Sequence, residues 1–205
     1  MELKTMAALS LEQKLAQFHE FFAIEHEFSV NIKKLNQADT TDFEQFMTNM
    51  PMPFKLATDM SSIDQSALRT LQGLGNHANQ LVSFLNQQAQ KIDLLIGYIL
   101  SQQDEKTNRY QGKSFGGGGI EFSALTPFSI GQLLELKIFL LDNNCAVYCY
   151  GEVIATEVNA KIFNHKVIFH FIREEDRETL VRTSLHEQSK QLQKLAKLRN
   201  KENDN

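Results

Sequence analysis

The chain has 205 residues, 42% of them hydrophobic, with 25 acidic against 21 basic side chains and a net charge of −4. That is enough apolar material for one compact domain plus an appendage, and it excludes the dominant basic face of a general nucleic-acid binder. No run approaches the ~18 uninterrupted apolar residues of a membrane span, and Met1 to Ser10 lacks the basic-then-apolar pattern of a signal peptide, so the reading is a cytoplasmic protein with no membrane span and no nucleic-acid partner.

Ser10 to His19 predicts a short amphipathic helix, with Leu11, Leu15 and Phe18 on one face, and residues 1–17 form an N-terminal helical unit. From Phe21 to Leu35 the period changes to two. Phe22, Ile24, Phe28, Val30 and Ile32 fall on even positions, which predicts a half-buried strand within a segment covering 18–35.

Residues 36–105 read as a helical insertion rich in Gln, Asn and Leu. Met50-Pro51-Met52-Pro53-Phe54 interrupts it, because neither proline suits a helix interior. A helix restarts after Ser61-Ser62, and residues 63–100 carry a heptad. Ala67, Leu71, Leu74, Ala78, Leu81, Leu85, Gln88, Ile92, Leu95 and Ile99 alternate spacings of four and three, with Gln88 the one polar interruption. The flanking positions Leu68, Gly75, Val82, Ala89 and Ile96 are mostly apolar too, so the seam is wider than a two-stranded coil needs. The expectation is a homo-oligomer, a tetramer before a trimer. The competing arrangement lays one helix along its own barrel, but a barrel of roughly 100 residues hardly covers a helix of about 50 Å.

Residues 106–172 return to strand. Ser114-Phe115-Gly116-Gly117-Gly118-Gly119-Ile120-Glu121-Phe122 holds four consecutive glycines, which marks a tight loop where backbone passes close to another group. A phosphate-cradling loop would lead into a helix, with Lys beside Ser or Thr after the glycines. Here a strand follows and Gly112-Lys113-Ser114 precedes them. Gln132 to Leu141 alternates through Leu134, Leu136, Ile138 and Leu140, and Asp142-Asn143-Asn144 signals a turn. Ala146 to Val158 is a further strand, Glu157 to Ala160 a turn, and Lys161 to Ile172 a last strand with Val167, Phe169 and Phe171 in register. Short antiparallel strands with tight turns predict a small barrel. Residues 173–205 form the C-terminal helix and tail. Glu174, Glu175 and Asp176 occupy its first turn and Lys190, Lys194, Lys197 and Arg199 its last turns, both suited to the helix dipole.

Chemistry-bearing motifs are sparse. Cys145 and Cys149 lie roughly 13 Å apart along an extended strand, too far to bridge, and read as reduced thiols rather than a metal site. His165 and His170 sit in or beside a strand as structural histidines. Ser184, His186 and Glu187 are neighbours on a helix and lack triad geometry. With no HExxH or GxSxG motif, no catalytic residue, metal site or enzyme activity is expected.

Three segments resemble the PilZ domain family. Phe18 to Ile24 is similar to the family's RxxxR lead into strand one. Ser114 to Phe122 is similar to its [D/N]xSxxG loop. Val167 to Ile172 followed by Glu174 to Leu180 is similar to its last strand and closing helix. The resemblance implies an α+β fold: a small antiparallel β-barrel, here with a long coiled-coil insertion and a C-terminal helix. The insertion resembles an atypical tetrameric branch of the family. The resemblance also implies a site for the messenger cyclic di-GMP, in which arginine forks grip phosphate and guanine. In this chain the motif is degenerate: the arginine positions fall on His19 and Ala23, the acidic or Asn position on Ser114 and the Ser on Gly116. Only Gly119 is kept. The expected function is a non-enzymatic PilZ-like assembly module with a protein partner, no cofactor and no tight cyclic di-GMP binding. The alternative is a rewired cyclic di-GMP receptor that uses Lys106, Arg109 or Lys113.

Overall fold

The computed structural model describes residues 10–36, 42–61, 76–140 and 145–203. Six antiparallel strands close a barrel: β1 (Ala23–Lys34), β2 (Arg109–Gly116), β3 (Gly119–Ala124), β4 (Leu133–Leu140), β5 (Cys145–Asn159) and β6 (Ile162–Phe171). They run in the order β1-β2-β3-β6-β5-β4, and β1 seals the barrel by pairing with both β2 and β4. Helix α1 (Leu11–Glu20) precedes the barrel. Helices α2 (Phe43–Asn49), α3 (Met52–Ser61) and α4 (Asn76–Ser101) lie between β1 and β2, and α5 (Glu174–Asn203) follows β6. The α+β class and the barrel with its inserted helices match the sequence expectation.

Period-two apolar patterning builds the interior. Ile24, Phe28, Val30 and Ile32 of β1 meet Leu134, Leu136, Ile138 and Leu140 of β4 in one buried core. Phe22, which shares their parity, lies ahead of the strand and is exposed.

A second apolar layer covers the outside of β4 and β5. Phe46, Phe54 and Leu100 from α2, α3 and α4, with Met50 capping the end of α2, pack on Phe139, Tyr148 and Tyr150. With the barrel core on its inner face and the insertion on its outer face, that sheet is covered on both sides, which is why Cys145 through Gly151 is continuously buried. The parity of β6 changes partway. Val167 and Phe169 point into the barrel core, whereas Phe171 joins the outer layer opposite Tyr150. A register shift between Tyr150 and Gly151 causes this, since one extra residue turns the side chains beyond it to the other face.

Polar hooks hold the insertion in place. Asn31 donates to Asp104 at 2.8 Å and accepts from the Glu105 amide at 2.6 Å. The Glu105 carboxylate takes Lys33 and Lys137 at 2.9 Å each. Arg173 forks onto Asp176 at 2.7 and 3.0 Å and donates to the Phe54 carbonyl at 2.9 Å, joining the start of α5 to α3.

Several local readings shift. The proline break is confined to Met50-Pro51, because Pro53 sits in the first turn of α3, where its missing N–H costs nothing. Strand β5 runs on to Asn159, so the turn expected over Glu157 to Ala160 narrows to Ala160 and Lys161, with Ala160 at φ 57°. The turn expected at Asp142-Asn143-Asn144, and heptad positions Ala67, Leu71 and Leu74, lie outside the described residues.

Candidate functional site

The α1–β1 junction and the glycine turn between β2 and β3 meet at one end of the β1–β2 ladder. Ser10 starts α1 with a reciprocal cap, its hydroxyl accepting from the Gln13 amide while the Gln13 side chain accepts from the Ser10 amide. Phe18 and Leu15 anchor the helix against Ile154 and Ile168 on the barrel's outer side. This places His19 in the helix's last turn and Ala23 at the head of β1.

Only Gly117 and Gly118 form the turn, since Gly116 ends β2 and Gly119 begins β3. None of the four has a positive φ. What they share is close approach. A Cβ on Gly116 would overlap the Phe22 carbonyl oxygen, and one on Gly119 would overlap the Val167 carbonyl and stand 2.8 Å from the Phe18 ring. The run is a packed seam rather than a free loop. Arg177 of α5 locks it from outside: its guanidinium donates to the Gly117 carbonyl and lies 5.7 Å from the Phe21 ring centroid.

Between these elements lies an open groove of 710 Å³, floored by β1, β2, β3 and β6 and walled by α1. His19, Ala23, Lys113 and Ser114 line it. Gly116 pairs with Ala23 across the ladder, and Gly119 pairs with Ile168. The structure therefore brings the mapped motif positions to one place.

Five further lining residues escaped the sequence reading: Glu25, His26, Glu27, Glu121 and Lys166. The first three sit where the β1–β2 register slips between Glu25 and Phe28. Three consecutive polar residues inside an alternating strand were the signal for that bulge. Lys166 is held by Glu157 at 2.8 Å. That hydrogen bond is the main reason its pKa is raised, and reciprocally it lowers that of Glu157. Two lysines face three glutamates in this lining, so the groove has no net positive field to attract a phosphate diester.

The other basic candidates lie elsewhere. Arg109 is at the far end of β2, about 23 Å along the strand from Gly116, because β2 runs away from the groove and reaches the glycine turn only at its end. Its guanidinium is bound to Asp104 at 2.7 Å. Lys106 starts a 3-10 turn immediately before that end. Neither lines the groove.

No other described group offers chemistry. Among the described residues no cluster of three or more His, Cys, Asp or Glu side chains is placed to hold a metal. Cys145 and Cys149 point into the barrel core, where burial pushes Cys145 up to about 12 and Cys149 well above its usual range. Burial also lowers the pKa of His165, which lies against Phe122 and Phe128 with its Nδ1 2.9 Å from the Thr156 hydroxyl.

The sequence profile of the PilZ domain matches residues 85–185. This chain carries a PilZ domain. The matched span starts inside α4 and ends inside α5, and β1, which completes the PilZ barrel, precedes it. A protein of Xanthomonas campestris, described as a tetrameric PilZ domain self-assembled via a helical bundle, shares the fold. Its TM-score is 0.54 at 16% identity, over 87% of this chain and 96% of that one. The Bacillus subtilis inhibitor of motility aligns with a TM-score of 0.38 and 17% identity over 40% of this chain, which spans 42% of that protein's length. Comparison with curated proteins finds no match.

Proposed function

We propose that this chain is a non-enzymatic PilZ signalling module that assembles with copies of itself through α4 and does not bind cyclic di-GMP tightly. The exposed apolar face of α4 carries the reading. Leu81, Phe84, Leu85, Ile92, Leu95 and Ile99 are between 37% and 62% exposed. Five of these six are heptad positions, Gln88 between them is half-buried, and Ala78 lies in the helix's first turn. Among the described residues, Leu100 and Ile96 at the C-terminal end of α4 dock on the barrel, and Val82 is the buried residue of its first half. A single copy therefore leaves uncovered an apolar stripe of a size that marks an interaction surface. The Xanthomonas protein, described as tetrameric through a helical bundle, supports assembly through a helix.

The groove supports the second half of the reading. At the positions where the family's arginines would stand, this chain presents an imidazole and a methyl group, beside Glu25, Glu27 and Glu121. A second reading keeps cyclic di-GMP as ligand, and Lys113 and Lys166 in the groove favour it. Light scattering and titration calorimetry test both together. The expected mass is four times 23.4 kDa, with no binding heat at micromolar cyclic di-GMP. A monodisperse monomer overturns the assembly reading, and micromolar binding replaces the first reading with the second.

A further inference from the structure

Helix α5 outruns the barrel. Its first half is fixed through Leu180, Thr183, Ser184 and Glu187, all buried. Gln191 donates to the Glu25 carbonyl at 2.8 Å. From Gln191 to Arg199 every residue is exposed. The exposed leucines take one side of this half and the turn before it. Leu185, Leu192, Leu195 and Leu198, each more than half exposed, fall within an arc of about 140° on a helix advancing 100° per residue. Lys190, Lys194 and Lys197 fall within about 60° on the other side. Lys190 is paired with Glu187 at 2.7 Å, and residues 187–203 hold five basic side chains and two acidic, a net of +3 in a chain whose total is −4.

We propose that the free half of α5 is a docking surface for an anionic lipid bilayer, lying in the interface with its leucines inserted and its lysines against the headgroups. Charge selects this occupant. A basic amphipathic helix is attracted to a negative leaflet, each Lys or Arg near the surface adding to the affinity. Arg199 distinguishes a bilayer from a second copy of the chain, because it falls inside the leucine arc. A helix–helix seam would bury that guanidinium, whereas at a lipid interface its aliphatic stem lies among the chains and its head reaches the phosphates. No helix among the described residues is long and apolar enough to cross a membrane, so the contact is peripheral. It is independent of α4 and of the groove.

The test is flotation of the full chain with phosphatidylcholine vesicles containing 30% phosphatidylserine, and with vesicles of phosphatidylcholine alone. Binding is expected to the first and at least about 10-fold weaker to the second, and to fall as salt is raised. Lys194→Glu with Lys197→Glu should weaken binding at least about 100-fold by reversing two charges. Leu192→Ser with Leu195→Ser should weaken it comparably at unchanged charge. Both pairs are exposed, so melting temperatures should match the parent; if a pair misfolds, Lys194→Gln with Lys197→Gln serves instead, with an expected loss of at least about 10-fold. Equal flotation with both vesicle types, no flotation, or parent-like binding by the charge variants overturns the proposal. A drop in solution mass on changing the leucines, without vesicle binding, assigns the surface to subunit contact instead.

Discussion

Gly116 and Gly119 are held by what lies beside them rather than by backbone conformation. Each presses against a carbonyl oxygen, of Phe22 and Val167 respectively, and backbone cannot yield as a side chain can. Gly119→Ala should therefore destabilise by about 2 kcal/mol or more, as overpacking does. Chemical denaturation should show the loss with little change in slope, and a parent-like midpoint would contradict the packing. The same contact makes Gly116 a poor place to restore the family's serine. Glu105 is the other residue with a measurable signature. Its hydrogen bonds to Lys33 and then Lys137 draw its carboxyl down from 4.5 to about 2. Since the folded value lies below the unfolded one, its stabilisation is complete above pH ~4.5 and is lost as the pH falls toward 2. The carboxylate is 37% exposed, so screening leaves about 1 kcal/mol of the full linkage. Glu105→Gln should lower neutral-pH stability by that amount and flatten the stability curve between pH 4.5 and 2. An unchanged acid limb would show that Glu105 makes no contribution.

At the scale of elements, α4 has two unlike parts. Its end is pinned through Leu100 under the aromatic layer of Phe46, Phe54 and Tyr148, while the heptad leucines before it face outward. Leu81→Asp with Leu85→Asp tests the face directly. Both residues are exposed in one copy, so the fold should survive, whereas at a subunit seam each buried unpaired carboxylate costs roughly 3 kcal/mol or more. Sedimentation should show the mass falling toward one copy with an intact circular dichroism spectrum. Retention of the parent's mass would remove α4 from the interface.

The whole molecule reads as a barrel with helices on two sides and a groove on a third. The proposed self-assembly through α4 would leave the groove available, because the groove is built from α1, β1, β2, β3 and β6. On the proposed reading, the missing arginine forks would forfeit roughly 1.5–3 kcal/mol per charged contact, enough to turn micromolar into millimolar binding. His19→Arg, Ala23→Arg and Ser114→Asp together, with Gly116 untouched, should raise cyclic di-GMP affinity at least about 10-fold by calorimetry. No gain would show that Glu25, Glu27 and Glu121 repel the ligand whatever stands at the arginine positions.

Local periodicity was enough for much of this. The alternation of β1 and β4 follows from side chains that point to opposite faces in turn, and the heptad of α4 from residues three and four apart sharing a face. The mapped positions His19, Ala23, Ser114 and Gly116 come from segments on either side of the insertion, and the β1–β2 ladder is what brings them together. Tertiary structure decided the rest. The bulge at Glu25–Glu27 and the register slip that turned Phe171 outward depend on which strand pairs opposite. The burial of Lys137 under Glu105 and the lock of Arg177 on Gly117 join groups 32 and 60 residues apart. The acidic side of the groove comes from β1 and β3, strands separated in sequence by the whole insertion. A one-dimensional pattern records the face a residue takes on its own element, and only closure of the barrel determines what stands across from it.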